Sequence, residues 1–210
     1  MSYTFTSIGD EYTSSEWSLN SRSGGSNWYK ARLRVKLNSQ STRNNTSNIT
    51  IYFDLSSISA DGGYMWSGYP DNTAGSYVLR WKEGSWHNSS TRYMPTSFKS
   101  TGGTSNFRNI DSWTVDVPHE SDGTLDLDGV GITYTQGTNG VNYDPVSFDK
   151  GTTNLIFPTI LRNPHVLVKT GSGWQNGTLL VKTSNTVWKP AKEIYVKTEN
   201  GWQATTLRGN

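Results

Sequence analysis

Alternating apolar and polar positions mark two neighbouring strands in the first third of the chain. Ala31, Leu33, Val35 and Leu37 are separated by the basic residues Arg32, Arg34 and Lys36. After a polar loop, Ile49, Ile51, Phe53 and Leu55 are separated by Thr50, Tyr52 and Asp54. A period of two residues is typical of a strand with one buried face and one solvated face. The pattern therefore predicts an antiparallel pair with its apolar face in a core.

The stretch from Trp113 to Tyr134 shows the same period on both sides of a turn. Trp113, Val115 and Val117 precede Pro118, which cannot donate to a strand ladder, and Asp122-Gly123 provides a pair that tolerates positive φ. Beyond the turn the apolar positions are Leu125 and Leu127, and after Gly129 they are Val130, Ile132 and Tyr134. This change from odd to even positions predicts a β-bulge near Asp128-Gly129 in a core hairpin.

These elements place the chain in the all-β class. Gly, Ser, Thr and Asn are abundant, and aromatic residues make up 12% of the chain. No segment long enough to form a helix has apolar residues at helical spacing. Short strands at regular intervals predict an antiparallel β-sandwich over residues 1–162, with a jelly-roll or Ig-like arrangement of strands.

The last part of the chain, residues 165–210, contains an internal repeat. Its three units are VLVKTGSGW (166–174), LLVKTSNTVW (179–188) and IYVKTENGW (194–202), and each ends on a tryptophan, Trp174, Trp188 or Trp202. A unit of this length holds one strand, one turn and a second short strand, but no helix. We expect a C-terminal module of three β-hairpins, in which the three tryptophans pack.

Charge and composition exclude several classes of function. The formal net charge is only +2, and the Lys and Arg residues do not cluster. We therefore expect no nucleic acid partner. No apolar run approaches the roughly 20 residues of a membrane span, and the first residues show no signal peptide. We therefore expect a chain that is made in the cytoplasm and does not insert into a membrane.

Five carboxylates lie close together in sequence and raise the question of catalysis: Asp116, Glu120, Asp122, Asp126 and Asp128. A glycosidase needs one carboxyl of raised pKa in a cleft, at a set distance from its partner. Here Asp126 and Asp128 instead alternate on the solvated face of one strand. We expect no catalytic residues, no cofactor and no metal, although Asp122, Asp126 and Asp128 have the oxygen ligands that Ca²⁺ uses.

His119 follows Pro118 at the central turn, without a nucleophile or a second histidine at metal spacing. We expect it to pack or to lock the turn through a side-chain hydrogen bond.

A glycine-rich loop, residues 59–76, carries the residues that we predict to bind a ligand or partner. Tyr64, Trp66, Tyr69 and Asp71 stand among small residues there, and loops run over the surface. The aromatic side chains can face a sugar, face another subunit or pack beneath the loop, and the sequence leaves these three alternatives open.

Three segments of the sequence resemble a domain of tail structural proteins from phages that infect Gram-positive bacteria. They are the V-P-H strand end with its S-D-G turn (117–123), the LNSQS to NNTS hairpin (37–47), and LIFPTILR (155–162). In the last segment Phe157 is inserted where the family has adjacent Leu and Pro. The V-K-T…W repeats are also similar to C-terminal repeats of phage minor tail proteins.

This resemblance implies a non-enzymatic structural protein of a phage tail or baseplate that contributes to host-surface adsorption. Its expected location is the virion, and its expected partners are other virion proteins, further copies of itself and a host cell-surface glycan. One alternative is a carbohydrate-binding module of a cell-wall-associated protein, and another is a β-sandwich polysaccharide hydrolase or lyase.

Overall fold

The computed structural model describes residues 2–20, 29–57, 64–67, 73–137 and 145–160, and the backbone of six further strands between 165 and 205. Up to residue 160 the strands are, in chain order, β1 (Ser2–Thr4), β2 (Glu11–Thr13), β3 (Trp17–Leu19), β4 (Tyr29–Ser41), β5 (Thr46–Ser57), β6 (Tyr64–Trp66), β7 (Gly75–Glu83), β8 (Ser85–Asn88), β9 (Arg92–Tyr93), β10 (Phe98–Lys99), β11 (Gly103–Pro118), β12 (Asp126–Leu127), β13 (Gly129–Gln136), β14 (Phe148–Gly151) and β15 (Asn154–Ile156). The fold is all-β, as predicted. Among these described residues, no helix has the length and apolar character needed to cross a membrane.

Two five-stranded antiparallel sheets form the body of the protein. The first has the order β11-β5-β4-β2, with β3 also on β4, and the second has the order β14-β13-β7-β8, with β9 also on β7. The predicted pairing of β4 with β5 is confirmed, since Leu33 lies opposite Phe53 and Val35 opposite Ile51. The apolar residues of both strands are fully buried.

The two sheets pack face to face, as expected of a β-sandwich. The ring of Phe53 on β5 lies 5.4 Å from that of Tyr77 on β7 and 6.5 Å from that of Phe148 on β14. The Tyr77 hydroxyl donates to the Asp111 carboxylate on β11 across 2.8 Å. Aromatic rings thus pack between the layers, and part-buried polar contacts of Tyr77 and Arg92 with Asp111 join the two sheets.

Two smaller sheets cover the ends of the sandwich. One has the order β1-β15-β12, in which β1 runs parallel to β15, and the other pairs β6 with β10. The apolar run over 153–160 predicts one final strand, but β15 is shorter and ends at Ile156. Residues 87–110 show little alternation, which predicts mostly loop; this prediction is wrong, because β11 begins at Gly103 and runs for 16 residues.

The predicted core hairpin between Trp113 and Tyr134 is also wrong. The turn exists, and Gly123 has a φ of +86°, but its two arms belong to different sheets. Strand β11 pairs with β5, β12 with β15, and β13 with β7 and β14. The change from odd to even apolar positions at Asp128-Gly129 therefore marks the point where the chain passes from one sheet to another. Local alternation is the same in both arrangements, so it could not distinguish them.

The six strands beyond residue 164 form three two-stranded hairpins, as the repeat predicted. They are β16 (His165–Thr170) with β17 (Gly173–Thr178), β18 (Leu180–Lys182) with β19 (Trp188–Pro190), and β20 (Ile194–Thr198) with β21 (Gly201–Thr205). In every hairpin the lysine of V-K-T is the register partner of the tryptophan: Lys169 with Trp174, Lys182 with Trp188 and Lys197 with Trp202. The repeat is thus a repeat of structure as well as of sequence.

Candidate functional site

The predicted loop site contains a strand at its centre. Tyr64 and Trp66 belong to β6, in register with Lys99 and Phe98 of β10, and Met65 between them is buried. An uninterrupted surface loop is therefore the wrong description of residues 64–66. Tyr69 and Asp71 lie outside the described residues, as do the side chains of Trp174, Trp188 and Trp202. A binding site at Tyr64, Trp66, Tyr69 and Asp71 and the packing of the repeat tryptophans stay predictions.

His119 locks the central turn, as predicted. Its Nδ1 lies 2.7 Å from the carbonyl oxygen of Gly123, and its Nε2 lies 2.7 Å from Ser47 Oγ on β5. Because a carbonyl oxygen only accepts, Nδ1 carries the hydrogen, and in the neutral ring Nε2 accepts from the serine hydroxyl. The ring is buried, so both contacts act in a site that excludes most water.

Asn45 holds the same turn from the other side. It has a φ of +55°, a conformation that asparagine adopts more readily than most residues. Its side-chain amide nitrogen donates to the backbone carbonyl oxygens of His119 and Glu120 at 2.8 and 2.9 Å. Its backbone carbonyl oxygen accepts from the backbone N–H of His119. The β4–β5 connection is thereby tied to the turn after β11.

The segment after β15 completes this cluster. Gln40 Nε2 donates to the carbonyl oxygen of Pro158 across 2.7 Å, and the N–H of Ile160 donates to the carbonyl oxygen of Gly123 across 2.8 Å. The inserted Phe157 stacks on Phe5 with 4.5 Å between ring centroids. We name Gln40, Asn45, Ser47, His119 and Gly123, with the carbonyl of Pro158 and the N–H of Ile160, the His119 network. It joins three segments that are far apart in sequence.

The acidic residues near this turn have protein partners of their own. Asp122 accepts from both the N–H and the hydroxyl of Thr124, which lowers the pKa of its carboxyl. Asp128 accepts from the N–H of Gly84 at 3.2 Å and lies 3.4 Å from Lys82 Nζ. Over the described residues, no group of three or more His, Asp or Glu side chains is placed to hold a metal ion.

A groove with aromatic walls lies beside the edge strands β1 and β2. It has a volume of about 430 Å³ and is lined by Tyr3, Tyr12 and Trp17, four serines and threonines of the first fifteen residues (Ser2, Thr13, Ser14 and Ser15), and Gly151, Thr152 and Thr153 between β14 and β15. Its volume falls within the range of about 300–1,000 Å³ that is common for small-molecule sites. We name this site the N-terminal groove.

Neighbouring aromatic rings hold the walls of the N-terminal groove in place. Tyr3 meets Phe5 edge to face at 5.1 Å between centroids and meets Tyr12 at 5.0 Å, and Phe5 belongs to the buried core. Burial raises the pKa of the Tyr12 hydroxyl, while a hydrogen bond with the backbone of Thr153 acts in the opposite direction. Tyr3 and Tyr12 thus pack against each other, and all three aromatic residues of the groove pack against the core.

No periodic pattern of apolar residues indicates this groove. Tyr3, Tyr12 and Trp17 lie on three different strands of three residues each, too short for an alternation pattern. The available signal was their composition, three large aromatic residues in a stretch rich in serine and threonine. Their meeting depends on β1 pairing with β15, a contact about 150 residues away in sequence.

Comparison of the chain with protein-family models, with curated proteins and with solved structures found no match.

Proposed function

We propose that this chain is a non-enzymatic structural protein of a phage tail or baseplate that contributes to adsorption on the host surface. The observation that carries the proposal is the His119 network. The three segments that resemble the tail-protein domain lie far apart in sequence, yet they contact one another there. Unrelated short matches would be scattered over the fold, whereas the parts of one structural motif should meet.

The roles of the residues in the network also support a structural protein. The histidine, the asparagine and the turn glycine all make hydrogen bonds within the protein, and the Ser47–His119 pair is buried. A buried pair of this kind specifies how segments join, and its burial keeps a substrate away from the serine hydroxyl and the imidazole. A structural protein of a particle needs segments that are held rigidly together in this way.

In this proposal the chain is made in the host cytoplasm and enters the virion, where it contacts other virion proteins and further copies of itself. The three C-terminal hairpins support the last point. An isolated two-stranded hairpin is marginal in water, and repeats of one unit gain stability from stacking on neighbours. The proposal includes no nucleic acid partner and no insertion into a membrane.

Two measurements on purified particles test the proposal. Phage particles from a host that carries this gene should contain the chain in stoichiometric amount by mass spectrometry, and gold-labelled antibodies should mark the tail or its tip. A chain found only in the cell lysate or only in the culture medium would contradict the proposal.

The absence of catalysis is tested separately. Purified peptidoglycan and teichoic acid should remain intact after incubation with the chain, as followed by release of soluble sugars. Hydrolysis that is lost in Asp122→Asn or Asp126→Asn would place the protein among polysaccharide-degrading enzymes instead.

The second candidate is a carbohydrate-binding module of a cell-wall-associated protein, and the N-terminal groove favours it. Aromatic walls with hydroxyl groups suit a sugar in either setting, so binding to a glycan does not distinguish the two functions. Location does: a module should be found on the cell wall of uninfected cells, and a tail protein in the particle.

A further inference from the structure

We infer that the N-terminal groove binds an uncharged saccharide chain, with Tyr3, Tyr12 and Trp17 as the stacking surfaces. This site is separate from the predicted loop at residues 59–76. It gives the proposed adsorption function a class of ligand, and it rests on that function for its biological setting. The inference itself stands on the groove's shape, its lining and its lack of charge.

The groove combines aromatic rings with hydroxyl groups that form no hydrogen bond within the described residues. The three aromatic side chains are only partly buried although they contact the core. Among the described residues, no hydrogen bond uses the hydroxyl groups of Ser2, Thr13, Ser15 or Thr153, and the first three of these residues are exposed. A sugar ring presents C–H groups to an aromatic face and hydroxyls at its rim, so it can use both sets at once.

The lining of the groove carries no charge. Every residue that lines the groove is uncharged at neutral pH. The nearest acidic residues along the chain, Glu11 and Glu16, are paired with Arg34 at 2.9 Å and Lys30 at 2.7 Å. An anionic polymer would find no cation in the lining to offset its loss of hydration, which is costly for a charge. The groove therefore favours a neutral sugar over an acidic one.

The strands beside the groove are too short to favour a peptide strand over a saccharide. Both β1 and β2 end their sheets, and a peptide can add to an exposed sheet edge through backbone hydrogen bonds. Each of these strands, however, has only three residues, which offers a short ladder for such an addition. Three aromatic side chains around one groove instead provide the flat apolar faces on which sugar rings pack.

The test uses the full chain and four soluble tetrasaccharides: cellotetraose, chitotetraose, maltotetraose and the acidic tetragalacturonate. Isothermal titration at neutral pH should show binding of at least one neutral probe and none of tetragalacturonate. Ser15→Arg, at the exposed rim of the groove, should weaken that binding at least about tenfold. Tyr93→Ala is the matched control, because Tyr93 is an exposed aromatic residue of the second sheet and should leave binding unchanged.

Trp17→Ala should abolish binding, but Trp17 also packs on the core, so this variant needs a thermal unfolding control. Ser15→Arg avoids that difficulty because it changes only an exposed residue. Three results would overturn the inference: no binding of any neutral probe, binding that Ser15→Arg leaves intact, or binding of the acidic probe alone. Failure here would leave the location in the virion standing, and the particle measurements test that location independently.

Discussion

At the scale of single residues, the outer face of the first sheet contains a carboxylate that is as buried as the core. Asp54 has 2% of its surface exposed, and it accepts from Arg32 at 3.0 Å, from Arg34 at 2.6 Å and from Asn109 at 3.1 Å. Burial alone would raise the pKa of the Asp54 carboxyl, but the hydrogen bonds from Arg34, Asn109 and Arg32 together hold it below its usual value. The carboxylate therefore stabilises the fold when it is ionised.

Asp54→Asn should lower the free energy of unfolding at pH 7 by about 1.5–3 kcal/mol, the range for hydrogen bonds to charged groups. Because the pKa of Asp54 is lower in the folded state, its stabilising effect is present above the unfolded pKa of about 3.9 and disappears as the pH falls below it. The difference between wild type and variant in urea unfolding should thus shrink at pH 3. Asp116→Asn, at an exposed position, should change stability by less than about 0.5 kcal/mol. Equal effects of the two variants would contradict this account.

The pKa of the Asp10 carboxyl is also lowered, although this residue is partly exposed. The side-chain hydroxyl of Thr6 is the main cause, with further hydrogen bonds from the Thr6 and Ser7 backbones and the Ser7 hydroxyl, and together they lower the pKa of Asp10 to about 2. This turn is therefore stabilised above pH 4 and loses that stabilisation as the pH falls toward 2.

An NMR titration of the Asp10 carboxyl should give a pKa of about 2 in the wild type. Thr6→Val should raise that pKa toward the usual value, because it removes the largest contribution while keeping the side-chain shape. Thr4→Val, two residues earlier and without a hydrogen bond to Asp10, should leave it unchanged. A normal pKa in the wild type would show that the hydrogen-bonded turn does not persist in solution.

At the scale of elements, the turn after β11 is held by close packing against the segment after β15. A Cβ on Gly123 would lie 2.1 Å from the carbonyl oxygen of Ile160, whereas a Cβ on Gly84 or Gly102 would meet nothing within 4 Å. All three glycines have positive φ, so an alanine at any of them would strain the backbone in the same way. Only the alanine at Gly123 would in addition collide with Ile160.

Gly123→Ala should therefore destabilise the protein more than Gly84→Ala or Gly102→Ala. Each of the three carries a cost of about 1–2 kcal/mol for an L-residue in the left-handed region, and overpacking against Ile160 adds about 1–3 kcal/mol more. Chemical unfolding of the three variants measures the difference. Three equal losses would mean that the turn and the 157–160 segment are not in contact.

The sequence predicted the positions of the strands better than it predicted which strands pair with one another. The alternation in β4 and β5 identified both strands, their inward faces and their pairing, because a short loop leaves few other arrangements. The same alternation around Asp122-Gly123 predicted a hairpin that does not form, because pairing with β5 and β7 depends on distant segments. The N-terminal groove was beyond sequence reasoning for a related reason: residues 3, 12 and 17 meet Thr153 only when the sheets assemble.

At the scale of the whole molecule, the C-terminal hairpins bear on assembly. Their first strands carry apolar residues at neighbouring positions, such as Val166, Leu167 and Val168, so apolar side chains are expected on both faces. A strand that is apolar on both faces needs a cover on each. We therefore expect the full chain to self-associate, and a tail setting implies three-fold or six-fold symmetry.

Light scattering coupled to size-exclusion chromatography measures this directly. The full chain at micromolar concentration should form an oligomer whose mass is an integral multiple, at least twice, of the 23.4 kDa of one chain. A strict monomer with its C-terminal hairpins folded would contradict self-association and leave contact with another virion protein as the means of covering the hairpins.

We propose that this chain contacts the host surface, and a competition experiment measures that contact. Host cells are incubated with the purified full chain before phage is added, and unadsorbed phage is counted. Wild-type chain and Tyr93→Ala should slow adsorption in proportion to their concentration, and Ser15→Arg should do so much less. A wild-type chain that neither binds the cells nor slows adsorption at any concentration would contradict the claim.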